Sequence, residues 1–293
     1  MAHHHTEDRL EVLPGAVLTY QRFDGPAHAH RHEPRGSALE IDHCRSGRIG
    51  WEMDGGFTLY MGAGDLSLHR MDRCADSLLR FPLGRYEGIA LELEPAALAA
   101  ALPEPLRQAG VDPMGLADKF CPDGGVTALP AGARIGRIFD VLYDLPAALR
   151  PAYCGLKVQE LLLFLTLTDP AGEKPLDRVR SEQVEIVKAV HRELTAHLDR
   201  RPTIEDLARR YLMNTTALKA TFKAVYGQPI AAYMKQYRAR EAARLLRETA
   251  GSVAEIARAV GYESQSKFTR AFREVEGVSP TEYRREQREN RRE

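Results

Sequence analysis

Two hydrophobic periods divide the chain. Up to about residue 95 the apolar positions alternate, as in Ala38-Leu39-Glu40-Ile41-Asp42-His43, then Trp51 and Met53, then Phe57, Leu59 and Met61. Ile89, Leu91 and Leu93 repeat the pattern, which is that of half-buried strands. Asp54-Gly55-Gly56 and Gly62-Ala63-Gly64-Asp65 punctuate it as turns. Short strands with such punctuation predict a small barrel or sandwich. From Pro95 the spacing becomes helical, with a short helix over Ala96–Leu102 and another carrying Ile135, Ile138, Phe139 and Leu142. Tyr153 to Thr168 is apolar nearly all round, through Leu156, Val158, Leu161, Leu162, Phe164 and Leu165. Such a helix must be covered, one face inside its own domain and the other across a dimer contact. Asp169 to Pro175 is polar and rich in breakers, which predicts a linker. The expected division is a domain over 1–168, a linker over 169–180 and a second domain over 181–293. The fold class is α+β, a β-barrel or sandwich with following helices joined to an all-α domain.

The all-α part repeats itself. Asn214, Phe222 and Gly227 recur as Ser264, Phe272 and Gly277, an offset of 50 residues. Each copy, at about 203–227 and 252–277, reads as a helix, a tight turn and a second helix. In the first, Thr203 caps a helix with Glu205 and Asp206 in its opening turn, where acids suit the positive end. Asn214 caps the next, with Leu218, Phe222 and Val225 on its core face; Gly227 ends it and Pro229 prevents continuation. In the second, Ser252 and Glu255 form a capping box, Gly261 permits a left-handed turn and Ser264 caps a helix with Phe268, Phe272 and Val275 inside. Gly277 closes it, and Ser279, Pro280 and Glu282 start another. The outward faces offer Thr215, Thr216, Lys219 and Lys223 in one copy, and Gln265, Ser266, Thr269 and Arg270 in the other, with Lys267 beside them. Such side chains suit base edges: Arg or Lys for guanine, Gln for adenine, Thr methyls for thymine. Between the copies, Ile230, Tyr233, Met234, Tyr237, Ala242, Leu245 and Leu246 keep a helical pattern. A helix from Pro229 to Glu248 is about 30 Å long, near the ~34 Å between major-groove faces on one side of a duplex.

Residues from about Ser181 to Arg285 resemble the DNA-binding domain of the AraC/XylS family of bacterial transcription regulators. The resemblance rests on Val253-Ala254-Glu255-Ile256-Ala257, on Gly261 through Phe272, and on Gly277-Val278-Ser279-Pro280-Thr281-Glu282-Tyr283-Arg284. Carried over by position, it implies base-reading roles for Thr216, Lys219 and Ala220, and for Gln265, Ser266, Thr269 and Arg270. It also implies a cupin-like sensor barrel followed by dimerising helices, a small-molecule effector, RNA polymerase as a partner, activation more often than repression, and a cytoplasmic homodimer. The sequence departs from the family at Leu212, where many relatives have a turn glycine, and at Ala220, where a larger polar side chain is common. The second copy is therefore expected to carry more of the hydrogen-bonded readout.

Charge supports the division. Overall the chain is neutral, yet Arg201 to Glu293 holds 19 basic against 12 acidic residues, and the remainder 22 against 29. A basic module joined to an acidic one is the footprint of a chain in which only one part meets phosphate. No apolar run reaches the ~20 residues needed to cross a membrane, so none is expected as a partner. Cys44, Cys74, Cys121 and Cys154 lack zinc-ligand spacing and read as reduced buried thiols. His28, His30 and His32 would share one face of a strand, as metal ligands can, but Pro26, Pro34 and Gly36 around them favour an exposed loop. No metal and no cofactor is therefore assigned, and no catalytic residue. Trp51, Tyr60, Arg80 and Tyr86 are candidate effector contacts, each equally readable as core or surface. Two other function classes compete with a ligand-responsive regulator. One is an enzyme: a cupin-type metal-dependent enzyme fused to a regulator-like DNA-binding module, or a DNA-repair protein carrying such a module. The other is a constitutive dimeric DNA binder without ligand.

Overall fold

The computed structural model describes residues 5–31, 36–53, 56–71, 76–122, 125–172 and 178–290. His32, Asp54, Gly55, Cys74 and Glu173 to Pro175, named above, lie outside the described residues. Backbone contacts divide the chain into two units, Met1–Arg180 and Ser181–Glu293.

The first unit is built on antiparallel strands: β1 (His5–Leu13), β2 (Ala16–Asp24), β3 (Ala27–Arg31), β4 (Leu39–Met53), β5 (Phe57–Gly62), β6 (Leu66–Arg70), β7 (Asp76–Arg80), β8 (Arg85–Leu93), β9 (Thr127–Leu129) and β10 (Arg178–Arg180). The long β4 serves two sheets. Its first half pairs with β8 and β6, and its second half with β5 and, at Gly50, with β7. The register shifts between Cys44 and Ser46, a bulge that bends the strand and changes which residues point inward.

One face of the β2–β8–β4–β6 sheet is apolar, through Leu18, Ile41, Leu68, Ile89 and Leu91, and packs in one cluster with helical residues. Those come from α1 (Pro95–Ala100), α2 (Glu104–Gln108), α3 (Leu116–Phe120), α4 (Ala133–Phe139) and α5 (Arg150–Leu167). His43 lies on that covered face, its ring 4.2 Å from Phe139 and its Nδ1 2.9 Å from the Tyr143 hydroxyl. Burial pulls its imidazole down to about 4. The α5 helix buries Cys154, Val158, Leu161, Leu162 and Leu165, and leaves Tyr153, Leu156, Leu163 and Leu167 exposed.

Two sequence expectations need correction here. The run at His28 and His30 is a strand, not a loop: β3 pairs with β7, His28 opposite Leu79 and His30 opposite Ser77. Pro26 precedes the strand and Pro34 lies outside the described residues; the His28 ring lies 4.9 Å from that of Phe23. Within the expected linker, Arg178–Arg180 pairs with Phe57–Leu59 of β5, so ordered sheet reaches to the end of the first unit.

The second unit is helical: α6 (Ser181–Ala196), α7 (Ile204–Arg210), α8 (Thr215–Tyr226), α9 (Ile230–Glu248), α10 (Val253–Ala259), α11 (Gln265–Glu276) and α12 (Pro280–Glu289). The α9 helix buries Ile230, Tyr233, Met234, Ala239, Ala242, Ala243 and Leu246. Its Arg238, also buried, donates through Nη2 to the carbonyls of Leu198 at 3.3 Å and Arg200 at 3.0 Å. Around its second half Ile256, Ala257, Val260, Phe268 and Phe272 complete one core.

Candidate functional site

Each of the two helix-turn-helix units is fixed by local hydrogen bonds. Thr203 accepts from the Asp206 amide at 3.1 Å, and Asp206 accepts in return from the Thr203 amide at 3.3 Å. Ser252 and Glu255 do the same at 3.2 and 2.7 Å. Those bonds hold the Glu255 carboxyl below its usual range. The second helix of each unit is capped by a side-chain oxygen, Asn214 accepting from Ala217 N at 2.7 Å and Ser264 from Lys267 N at 3.2 Å. Both helices end on a left-handed glycine, Gly227 with φ 82° and Gly277 with φ 81°. Such caps satisfy terminal amides and carbonyls that would otherwise lack partners.

The turns share one hydrogen-bond pattern but differ in length. Met213 N donates to Ala208 O at 2.9 Å, and Tyr262 N to Ala257 O at 2.8 Å. Met213 is followed at once by the cap Asn214, whereas Glu263, which has no counterpart, stands between Tyr262 and the cap Ser264. The leading helices therefore repeat at an offset of 49 residues and the following helices at 50. Leu212 takes the left-handed conformation, with φ 50°, where the second unit has Gly261 with φ 81°. The substitution is tolerated because the Leu212 side chain stands in solvent, 95% exposed. At Gly261 a Cβ would lie 2.0 Å from the carbonyl oxygen of Leu198, so only glycine fits.

With Leu218, Phe222 and Val225 buried, α8 turns Thr216, Lys219, Ala220 and Lys223 to solvent and leaves Thr215 half-buried. These four exposed residues border an open groove of about 490 Å3 whose other wall includes Pro229, Ile230 and Ala231. Ala220 has only its methyl to offer. With Phe268 and Phe272 buried, α11 exposes Gln265, Ser266, Lys267 and Arg270, with Thr269 half-buried. The Arg270 guanidinium is braced through Nε on Glu274, at 3.1 Å, and Glu274 also pairs with Lys235 of α9. The hydrogen bond from Lys235, then that from Arg270, depresses the Glu274 carboxyl. This brace was not foreseen from the sequence; the i,i+4 spacing of Arg270 and Glu274 was the available signal.

The four candidate effector residues of the first unit do not converge. Trp51 and Tyr86 belong to one inward cluster with Phe23, Cys44, Ile49, Met61, Leu79 and Phe81. Tyr60 and Arg80 both sit opposite Gly50, one position away on β4, and so face the other side of the strand. Gly50 leaves room for the Tyr60 ring, since a Cβ there would lie 2.4 Å from it. Arg80 pairs with Glu52.

A different set of titratable side chains does converge on that unit. Glu40 and Asp42 of β4 and His69 of β6 are buried together, with His69 Nε2 3.1 Å from Glu40 and Nδ1 3.6 Å from Asp42. Burial pushes the Asp42 carboxyl up, and Glu40 adds to that. Burial pulls the His69 imidazole down, but the two carboxylates outweigh it and raise it. Sequence reading missed this group because register across two strands, not spacing along one, assembles it.

Comparison with known proteins concerns the helical unit. A family model described as a helix-turn-helix domain matches residues 207–286. An AraC-like transcription regulator of Streptomyces lividans is 41% identical over 83 residues, 28% of this chain and 27% of that protein. The F1 operon positive regulatory protein of Yersinia pestis is 40% identical over 77 residues, 26% of this chain and 24% of that protein. Among solved structures, the DNA-binding domain of AdpA in complex with a target DNA is 28% identical, covering 36% of this chain and 96% of that one, with a TM-score of 0.35. The chain spans less than half the length of the curated relatives it matches.

Proposed function

We propose that the chain is an AraC-type, sequence-specific regulator of transcription that reads duplex DNA with α8 and α11, a reading supported by the helix-turn-helix match over residues 207–286 and by likeness to an AraC-like regulator. The observation that carries this reading is the pair of capped helices, each with its apolar face buried and a polar, basic face turned to solvent. The α9 helix between them spans 19 residues, about 28 Å by its rise. In this reading Thr215, Thr216, Lys219, Ala220 and Lys223 meet one major-groove segment, and Gln265, Ser266, Lys267, Thr269 and Arg270 the next. Arg270, held by Glu274, suits a guanine edge and Gln265 an adenine edge, whereas Ala220 suits only a thymine methyl.

The chain acts as a homodimer through α5. From Leu149 the exposed positions Tyr153, Leu156, Glu160, Leu163 and Leu167 follow at alternating spacings of four and three, the seam of a two-helix contact. The first unit takes a small-molecule effector, for which Trp51 and Tyr86 on the inward cluster are better placed than Tyr60 and Arg80. An activating role, with RNA polymerase as partner, is supported by likeness to a relative named as a positive regulatory protein. No helix among the described residues is long and apolar enough to cross a membrane.

Selection of bound sequences from a random duplex pool, followed by anisotropy titration at fixed salt, tests the reading. Arg270→Ala is expected to weaken the selected site by about 1–3 kcal/mol and to relax preference at one base pair. An unchanged binding profile in that variant, or a pool that yields no consensus, would overturn it.

A further inference from the structure

The inward face of the β2–β8–β4–β6 sheet is unusually polar for a buried surface. Thr19, Gln21, Glu40, Asp42, Ser67 and His69 are all less than a tenth exposed. Strand register places them in adjoining rows. Thr19 lies opposite Ala90, Ala90 opposite Asp42, and Asp42 opposite Ser67. In the next row Glu40 lies opposite His69. Burying charge is costly unless it is balanced and hydrogen-bonded. Here two carboxyl groups share one imidazole, with His69 Nε2 3.1 Å from Glu40 and Nδ1 3.6 Å from Asp42. The neighbouring Arg9 is matched to Glu92, at 3.1 Å.

We propose that Glu40, Asp42 and His69 form a buried site for a divalent first-row transition-metal ion. One ligand atom from each lies within 4.8 Å of the others. Two carboxylate oxygens and one imidazole nitrogen make a donor set suited to zinc, cobalt, iron or manganese, and three protein donors leave coordination positions for water or an entering ligand. In the bound state both carboxyls are ionised and the chelating imidazole nitrogen carries no proton, so two carboxylates balance the two charges of the ion.

An independent feature points to the same face. The Tyr86 hydroxyl is fully buried and its oxygen has no hydrogen-bond partner among the described residues. It lies over Gly88, where a Cβ would come within 2.1 Å of it. Gly88 pairs with Cys44, the inward position next to Asp42 on β4. The hydroxyl is thus a donor in want of an acceptor beside the carboxylates, as an outer group on a metal-bound carboxylate or water would be. Ser67 already donates to Asp42, at 3.3 Å. The site lies within the first unit and stands whether or not the second binds DNA.

The test titrates the full chain, stripped with EDTA, with cobalt(II) chloride and then with zinc chloride as competitor. Expected are one cobalt per chain, a nitrogen–oxygen ligand field without thiolate charge transfer, and displacement by zinc. His69→Gln and Glu40→Gln should each weaken uptake at least about tenfold. A chain with His3, His4, His5, His30 and His32 changed to serine should keep it. No uptake by the unaltered chain at millimolar cobalt, a thiolate band, loss of uptake in the serine variant, or full uptake in folded His69→Gln overturns the site. The spectrum and stoichiometry of the unaltered chain decide the matter even where a variant fails to fold.

Discussion

At the residue scale, the two turns show what a left-handed position demands. A non-glycine residue there costs about 1 kcal/mol in backbone strain, but the larger cost comes from what a side chain would strike. Gly261→Ala brings a methyl within 2.0 Å of the Leu198 carbonyl and is expected to destabilise the helical unit by more than about 2 kcal/mol. Leu212→Gly should fall within about 0.5 kcal/mol of the parent, because relief of strain is offset by greater freedom of the unfolded chain. Urea melts of both variants check the contrast, and equal effects would contradict it. His43 gives a pH dependence with a definite sign. Its imidazole titrates near 4 when folded and near 6.5 when unfolded, so the unfolded chain binds the extra proton. Its contribution is complete above pH 6.5 and disappears as pH falls through 4, amounting to about 3 kcal/mol. Stability measured at pH 7 and pH 4.5 should therefore fall less in His43→Phe than in the unaltered chain.

At the element scale, α5 carries the clearest expectation. Leu156 and Leu163 are 64% and 36% exposed, so charging them disturbs the unit's own core little. Leu156→Glu with Leu163→Glu should convert a dimer to a monomer of unchanged helix content, measured by light scattering and circular dichroism; a dimer that survives both would exclude this seam. Elements of this kind were legible in the sequence because their determinants are local. Thr203, Asn214, Ser252, Ser264 and Ser279 mark helix starts through hydrogen bonds made within three residues. The reading faces of α8 and α11 followed from the positions of Phe222 and Phe268. Non-local features were not legible. The register that sets Tyr60 and Arg80 opposite Gly50 separates them from Trp51, and the bulge between Cys44 and Ser46 decides that Trp51, on the side of Tyr86, is the one turned inward. The strand at His28 and His30 exists because β7 pairs with it, a partner some fifty residues away that no local pattern names. The Glu40, Asp42 and His69 group needs the β4–β6 register for the same reason.

At the scale of the whole molecule, a neutral chain conceals opposed halves, 19 basic against 12 acidic residues from Arg201 onward and 22 against 29 before it. The excess of positive charge is spread over the helical unit, and Lys219, Lys223, Lys267 and Arg270 bring part of it to the solvent faces of α8 and α11. Neutrality overall therefore says nothing against a polyanionic partner. The extra residue Glu263 and the methyl-only face at Ala220 have a consequence of another kind. In the proposed reading, two unlike helix-turn-helix units joined by α9 give the chain a head and a tail, so a duplex would be read in one sense along its axis and a bound chain would carry a direction as well as a position. Footprints on a site and on its reverse complement, placed in the same flanking sequence, should show the α11 contacts exchanging sides while the site remains occupied.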